Sequence, residues 1–271
     1  MADVGLVVAG PSGRMGQTLI RMIAETPGVT LCGALARPGS AAVGADCGRL
    51  AGLEPSGMAV TDDPLALPET AQAILDFTTP ATTVALAALA ARRGMVLVSG
   101  TTGLSPDDFS QLRKSSRHAV IVHSGNMGLG INLLAAMIRR AASSLDAEFD
   151  IEILEMHHSR KVDAPSGTAL LLGQAAADGR GIDLEARADR RREGHTGARE
   201  KGHIGFAALR GGTVIGEHSV ILAGEHERIE FRHKAEDRTM FARGALRAAL
   251  WGLGRAPGLY SMADVLGLAD F

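Results

Sequence analysis

The sequence predicts an α/β chain in two parts: a doubly wound parallel sheet, and a second α+β domain with a mixed or antiparallel sheet. Three observations carry this. Over residues 1–127, short β-branched runs alternate with helical patterns, and the strands are almost continuously apolar, as strands covered on both faces must be. Between residues 204 and 233, several strand patterns follow one another without helices between them. Charge density changes as well: residues 1–127 hold 9 basic and 10 acidic side chains, residues 128–240 hold 16 and 18, and residues 241–271 hold 3 and 2. Seven of the nine histidines fall in the middle block. The expected division is a first domain over 1–127, completed by 241–271, and a second over 128–240.

The elements follow in order. Gly5 to Ala9 is a buried strand, and Arg14 to Ala24 places Met15, Leu19, Met22 and Ile23 at helical spacing. Val29 to Leu35, Ile74 to Phe77, Met95 to Ser99 and Ala119 to His123 read as further strands, with helices over Ala81 to Arg93 and Pro106 to Lys114. A long amphipathic helix runs from Gly128 to about Leu145, followed by a strand at Phe149 to Met156 and a helix from Ser166 to about Ala177. After a polar stretch, Gly179 to Lys201, strands are expected at Ile204 to Leu209, Thr213 to Leu222 and Arg228 to His233, then a helix at Thr239 to Gly252. The polar stretch reads equally as a solvated loop or as an arm reaching a neighbouring subunit.

Composition narrows the classes. With 28 basic and 30 acidic residues the formal charge is −2, which does not suit a nucleic-acid or polybasic membrane binder. The longest apolar run, Val84 to Ala91, is far short of the roughly 18–20 residues a bilayer span needs. Cys32 and Cys47 are too few for a disulfide framework and have no metal-ligand spacing; they read as small buried hydrophobes. No basic leader region precedes the first strand, so a soluble, cytoplasmic protein is expected. Against 34 glycines stand only seven Phe, one Trp and one Tyr, a balance that points to close backbone approaches rather than stacking platforms.

Gly10, Gly13 and Gly16 form G-x-x-G-x-x-G between the first strand and the first helix. In that context the glycines provide a tight turn, room beside a pyrophosphate and close helix–strand packing, and the helix start offers free N–H groups to phosphates. This makes the first domain Rossmann-like, with Gly10, Pro11, Ser12, Gly13, Arg14 and Met15 as candidate cofactor contacts. A glycine turn serving only packing is the plainer alternative. After the second strand stand Ala36 and Arg37, with no carboxylate for a ribose 2′-OH. Arg37 suits a 2′-phosphate, or is a solvated surface arginine; NADPH is expected to serve at least as well as NADH. Gly100, Thr101 and Thr102, and Ser124, Gly125, Asn126 and Met127, follow later strand ends and are placed to contact the nicotinamide and its ribose.

The densest chemistry is Glu155-Met-His-His-Ser-Arg-Lys-Val-Asp-Ala-Pro-Ser-Gly-Thr168. His157 and His158 are adjacent, so on an extended backbone they face opposite ways and make poor co-ligands for one metal; no metal site is expected. Proton transfer suits an imidazole better, and Lys161 adds a cationic donor. Pro165-Ser166-Gly167-Thr168 reads as a capped helix start, with Gly167 and Thr168 as a carboxylate cradle. On these residues alone, another two-domain NAD(P) dehydrogenase and a nucleotide-sensing protein without turnover both stay open.

These motifs resemble the 4-hydroxy-tetrahydrodipicolinate reductase (dihydrodipicolinate reductase) family of lysine and diaminopimelate synthesis. The resemblance rests on the glycine loop, Gly-Thr-Thr-Gly at 100–103, Ser-Gly-Asn-Met-Gly-Leu-Gly-Ile-Asn at 124–132 and the His157–Thr168 segment, and continues through 192–199, 216–218 and 233–238. It implies NAD(P)H-dependent reduction of a heterocyclic dicarboxylate, with His157 as proton donor and acceptor and Lys161 as a further proton donor. It implies substrate contacts from His158, Gly167 and Thr168, and a homotetramer assembled through the second sheet. The resemblance departs at Ala36, where many members carry an acidic residue.

Overall fold

The computed structural model describes residues 3–268, and these form two compact units, 3–128 with 238–267 and 129–237 with Leu268. The first begins with strand β1 (Val4–Ala9), helix α1 (Arg14–Glu25) and strand β2 (Val29–Leu35). A long irregular crossing holds the short helix α2 (Cys47–Leu50), then β3 (Ala71–Asp76), α3 (Pro80–Arg93), β4 (Val96–Ser99), α4 (Pro106–Ser115) and β5 (Val120–His123). The second unit supplies α5 (Leu129–Ser144), β6 (Asp150–His157), α6 (Gly167–Arg180), α7 (Leu184–Arg187), β7 (Ala188–Asp189), β8 (Ile204–Arg210), β9 (Gly216–Ala223) and β10 (Arg228–Ala235). The chain then returns to the first unit with α8 (Thr239–Gly252), β11 (Gly258–Tyr260) and α9 (Met262–Leu266).

The first sheet has the order β11-β5-β4-β3-β1-β2 and is parallel throughout. Helices α1 and α8 pack together on one face; α3 and α4 pack together, with α3 against β3 and β4 and α4 against β11. Leu6, Val7 and Val8 of β1, Ile74 and Leu75 of β3 and Leu97 and Val98 of β4 are all fully buried, which is why these strands read as unbroken apolar runs. From β1 the chain steps to β2 on one side and then to β3 on the other. The order therefore reverses between β1 and β3, and ligands of open α/β sheets bind at that point, beyond the strands' carboxyl ends.

The second sheet, β10-β9-β6-β8-β7, is mixed: β6 pairs parallel with β8 and antiparallel with β9. Ile151 and Ile153 of β6, Val220 and Leu222 of β9, and Ile204 of β8 form one core with Ile131 and Ile138 of α5 and Leu172 of α6. The inward set of β6 also includes Glu155 and His157, both buried, because side chains alternate with period two. The opposite face carries Leu154, Met156, Ala207, Leu209 and Ile221, with Leu209 48% exposed.

Several expectations need correction. The strand expected at Thr213 begins at Gly216, because residues 211 and 212 are glycines and 211–215 form the turn into β9. The 179–201 stretch is no plain loop: α6 continues to Arg180, α7 and β7 follow, and Arg192 and Arg199 clamp onto Glu152 of β6 at 2.8–2.9 Å. Strand β11 went unread because three residues carry too little pattern to register. Cys32 is only half-buried, whereas Cys47 is buried and its thiol is pushed up to about 11 by burial, out of the reactive range.

Candidate active site

The carboxyl ends of β1, β3, β4 and β5 lie along one edge of the first sheet. The loops that leave them are Gly10–Gly13, Phe77–Thr79, Gly100–Gly103 and Ser124–Gly128. Gly10 has φ +68°, a conformation that favours glycine, and its carbonyl accepts from Gly13 N–H at 3.0 Å to close the turn. A Cβ on Gly16 would collide with the Gly10 carbonyl, so the third glycine lets α1 pack against the loop. Whereas Thr79, Ser105, Ser166 and Ser261 cap α3, α4, α6 and α9, no side chain caps α1. Its first-turn N–H groups and the positive end of its dipole therefore fit a phosphate.

Arg14, Met15, Gly100, Gly125, Asn126 and Met127 line a single cavity of about 220 Å³. Phe77, Arg238 and Phe241 complete its wall, and none of these three follows from the glycine motif. A Cβ on Gly125 would meet nothing within 4 Å, so glycine there leaves room the protein itself does not fill. Pro11 is buried in the turn, Ser12 and Thr102 are exposed, and Arg37 is exposed just past β2.

The loops are held by a buried carboxylate the sequence reading missed. Asp76, fully buried at the end of β3, accepts from Thr78 N–H and the hydroxyls of Thr78, Thr83, Ser99 and Thr101 at 2.5–3.1 Å. One residue thereby ties the Gly100 loop to the turn after β3. His123 donates from Nε2 to the Thr101 carbonyl at 3.0 Å and fixes the same loop from β5; burial lowers its imidazole pKa.

The second unit gathers the histidine segment around another buried carboxylate. Glu155 is 1% exposed, and its Oε2 lies 2.6 Å from His157 Nδ1. Arg210, at the end of β8, grips both carboxylate oxygens at 2.8 and 2.9 Å, and Ser166 N–H donates to Oε1 at 3.1 Å. Burial alone would push the Glu155 carboxyl up, but the hydrogen bonds from Arg210 and His157 outweigh it and leave the pKa below the usual range. His218 of β9 stacks edge-on against His157 at 5.1 Å, and its Nε2 lies 2.9 Å from Ser166 Oγ. Burial and the neighbouring His157 push His218 down to about 4, so it is neutral at physiological pH.

His158 follows the end of β6 and is half-buried, and a turn brings Lys161 N–H to its carbonyl. The Lys161 ammonium sits 2.8 Å from both oxygens of exposed Asp163, whose carboxyl it holds below the ordinary range. Ser166 caps α6 through Ala169 N–H at 3.1 Å. A Cβ on exposed Gly167 would meet nothing within 4 Å, so the helix start has open space before it. Glu155, Ser166, Arg210 and His218 lie up to 63 residues apart in sequence (155 to 218); only the β6 alternation that pairs Glu155 with His157 was there to be read.

A glycine turn at the switch point of a parallel sheet, leading into an uncapped helix, is how pyridine-nucleotide oxidoreductases hold their cofactor's phosphates, and the chain is of that class. The model of the dihydrodipicolinate reductase N-terminus matches residues 4–127 and that of its C-terminus residues 130–266. The chain belongs to the dihydrodipicolinate reductase family. It is 60% identical over 270 residues to the 4-hydroxy-tetrahydrodipicolinate reductase of Afipia carboxidovorans, covering 100% of this chain and 99% of the relative. To that of Agrobacterium fabrum it is 61% identical over 266 residues, covering 98% and 97%. In fold it matches a dipicolinate-bound dihydrodipicolinate reductase from Paenisporosarcina sp. TG-14 with a TM-score of 0.74 at 23% identity, covering 97% of this chain and 98% of that one.

Proposed function

We propose that the protein reduces 4-hydroxy-tetrahydrodipicolinate to tetrahydrodipicolinate with NAD(P)H, the reaction named for its relatives. The observation that supports it most is the second unit's anchored His157, with Lys161 and an open, capped helix start within the same segment. In this reading residues 1–127 with 241–271 bind the cofactor, and 128–240 bind substrate and assemble the oligomer. Gly10, Pro11, Ser12, Gly13, Arg14 and Met15 receive the pyrophosphate, and Arg37 the 2′-phosphate. Gly100, Thr101, Thr102, Ser124, Gly125, Asn126 and Met127 surround the nicotinamide and its ribose. The bound nicotinamide supplies hydride.

His157 supplies the proton to the carbon next to the one that receives hydride, with Lys161 as a further donor. The substrate's hydroxyl leaves as water, so that one hydride and one proton are taken up and one water is released. The substrate's carboxylates sit on Gly167, Thr168 and His158, where the dipole of α6 favours negative charge. A dianion arriving there competes with Asp163 for the Lys161 ammonium, so binding substrate frees the lysine. Assembly into a homotetramer uses the exposed face of the mixed sheet around Leu209, and the protein works in the cytoplasm. Among the described residues no helix is long and apolar enough to cross a membrane. The decisive experiment follows NADPH oxidation with enzymatically generated 4-hydroxy-tetrahydrodipicolinate; absence of turnover refutes the assignment.

A further inference from the structure

The structure assigns to Glu155, clamped by Arg210, a positioning role for both proton-handling side chains. The inference rests on the proposed roles of His157 and Lys161. Its observations are one carboxylate, one guanidinium and two loops. Glu155 receives two hydrogen bonds from Arg210, one from Ser166 N–H and one from His157 Nδ1, so every side of the carboxylate is engaged. An ionised carboxylate only accepts hydrogen bonds, so His157 Nδ1 must carry the hydrogen. That leaves Nε2 as the atom that exchanges protons, and it faces the backbone of Gly216, where a Cβ would come within 3.1 Å of it. Glycine at 216 therefore keeps the space beside Nε2 clear.

The same guanidinium donates to the Asp163 carbonyl at 2.7 Å. Asp163 in turn holds Lys161 through its carboxylate. One ion pair thus sets the tautomer of His157 and fixes the loop that presents Lys161. A structural role alone accounts poorly for this arrangement. Desolvating two charges offsets most of their attraction, and well-packed apolar residues in their place are often neutral or stabilising. What such residues could not do is hold an imidazole in one tautomer and stabilise it when it is protonated. Neutral His218 beside the ring adds no opposing charge.

Two measurements test this. In wild-type enzyme labelled with ¹⁵N, long-range imidazole correlations above the titration range are expected to show His157 as the Nδ1–H tautomer; the Nε2–H tautomer would overturn the proposal without any variant. In Glu155→Gln the carboxamide is free to present N–H to Nδ1, and the tautomer inverts. The expected result is a kcat lower by about 10²-fold, within the usual span of general acid catalysis. KM should stay within about threefold. Arg210→Lys keeps the charge without the fork and should lose about tenfold. Should Glu155→Gln not fold, Arg210→Lys and the wild-type tautomer decide the matter. Unchanged kcat in a folded Glu155→Gln would sink the positioning role. A fully active His157→Ala would instead sink the reading beneath it and leave the tautomer result standing.

Discussion

Among the described residues each unit of this protein buries one carboxylate, and the two are kept in opposite ways. Asp76 sits among four hydroxyls and a backbone N–H, with no cation among the described residues in hydrogen-bonding reach. Glu155 sits between a guanidinium and an imidazole. Hydroxyl and backbone donors carry no charge, so the Asp76 cluster is a brace that orders loops. A carboxylate stabilises an imidazole most when the ring is protonated, so the Glu155 cluster suits a group whose charge changes. Binding a cofactor calls for the first kind of site, and moving a proton for the second.

The largest effect is expected of the proposed proton donors: His157→Ala and Lys161→Ala should each lower kcat by roughly 10²–10⁴-fold. The measurement is steady-state NADPH oxidation, and a variant within twofold of wild type would remove that residue from the chemistry. Arg210→Met strips the guanidinium from a buried carboxylate and should cost about 3–5 kcal/mol in urea unfolding.

Its pH dependence sharpens the point. In wild type the Glu155 pKa is depressed on folding, so its contribution is present above the ordinary carboxylate range and fades as pH falls through the folded value. Without Arg210 the sign should invert, with stability falling as pH rises.

His218 supplies a second titration. Its folded pKa of about 4 lies below the ordinary 6.5, so the unfolded state takes up a proton first. Stability should decline between those values as pH drops, by up to about 3 kcal/mol at about 1.4 kcal/mol per unit. Thermal melts at pH 7, 5.5 and 4.5 for wild type and His218→Gln provide the check, and parallel curves would contradict it.

Two glycines separate packing from binding. Gly16→Ala drives a methyl into the Gly10 carbonyl and should cost about 1–3 kcal/mol. Gly167→Ala meets no protein atom, so stability should stay within about 0.5 kcal/mol while KM for the dicarboxylate rises. A stable Gly16→Ala would exclude the packing role. The smallest effect is expected of Arg37→Ala, which should weaken NADPH by about tenfold and leave NADH unchanged, as the loss of one ion-paired hydrogen bond requires.

What could be read from sequence was what is local. Alternating apolar runs announced β1 to β5, because strands buried on both faces leave no polar positions. The Gly10–Gly16 turn was legible because its strand and helix flank it within a few residues, and Ser166 as a cap because capping acts over three positions. Glu155 lay on the strand face of His157, but its grip by Arg210 depends on the parallel pairing of β6 with β8, 55 residues on. Asp76 joins Thr78 and Thr83 nearby with Ser99 at the end of another strand and Thr101 in the loop after it. No periodicity encodes such meetings. Phe77, Arg238 and Phe241 share a cavity wall for the same reason: the return of the chain through α8 brings 238–241 to a sheet edge built from the first half of the sequence.

That return has a consequence for how the protein is made. Helix α8 buries Ala242, Ala245, Leu246, Ala248 and Ala249 in the first unit, packing on β3, β4 and β5, and β11 extends that sheet beside β5. During synthesis β1 to β5 leave the ribosome well before these residues exist, with the part of one apolar face that α8 covers left bare and one edge unpaired. Among the described residues the second unit takes only Leu268 from beyond 237, and it has all its strands by then. The order of completion therefore runs against the order of translation: the unit made first is finished last, and an unfinished chain is vulnerable at its oldest part.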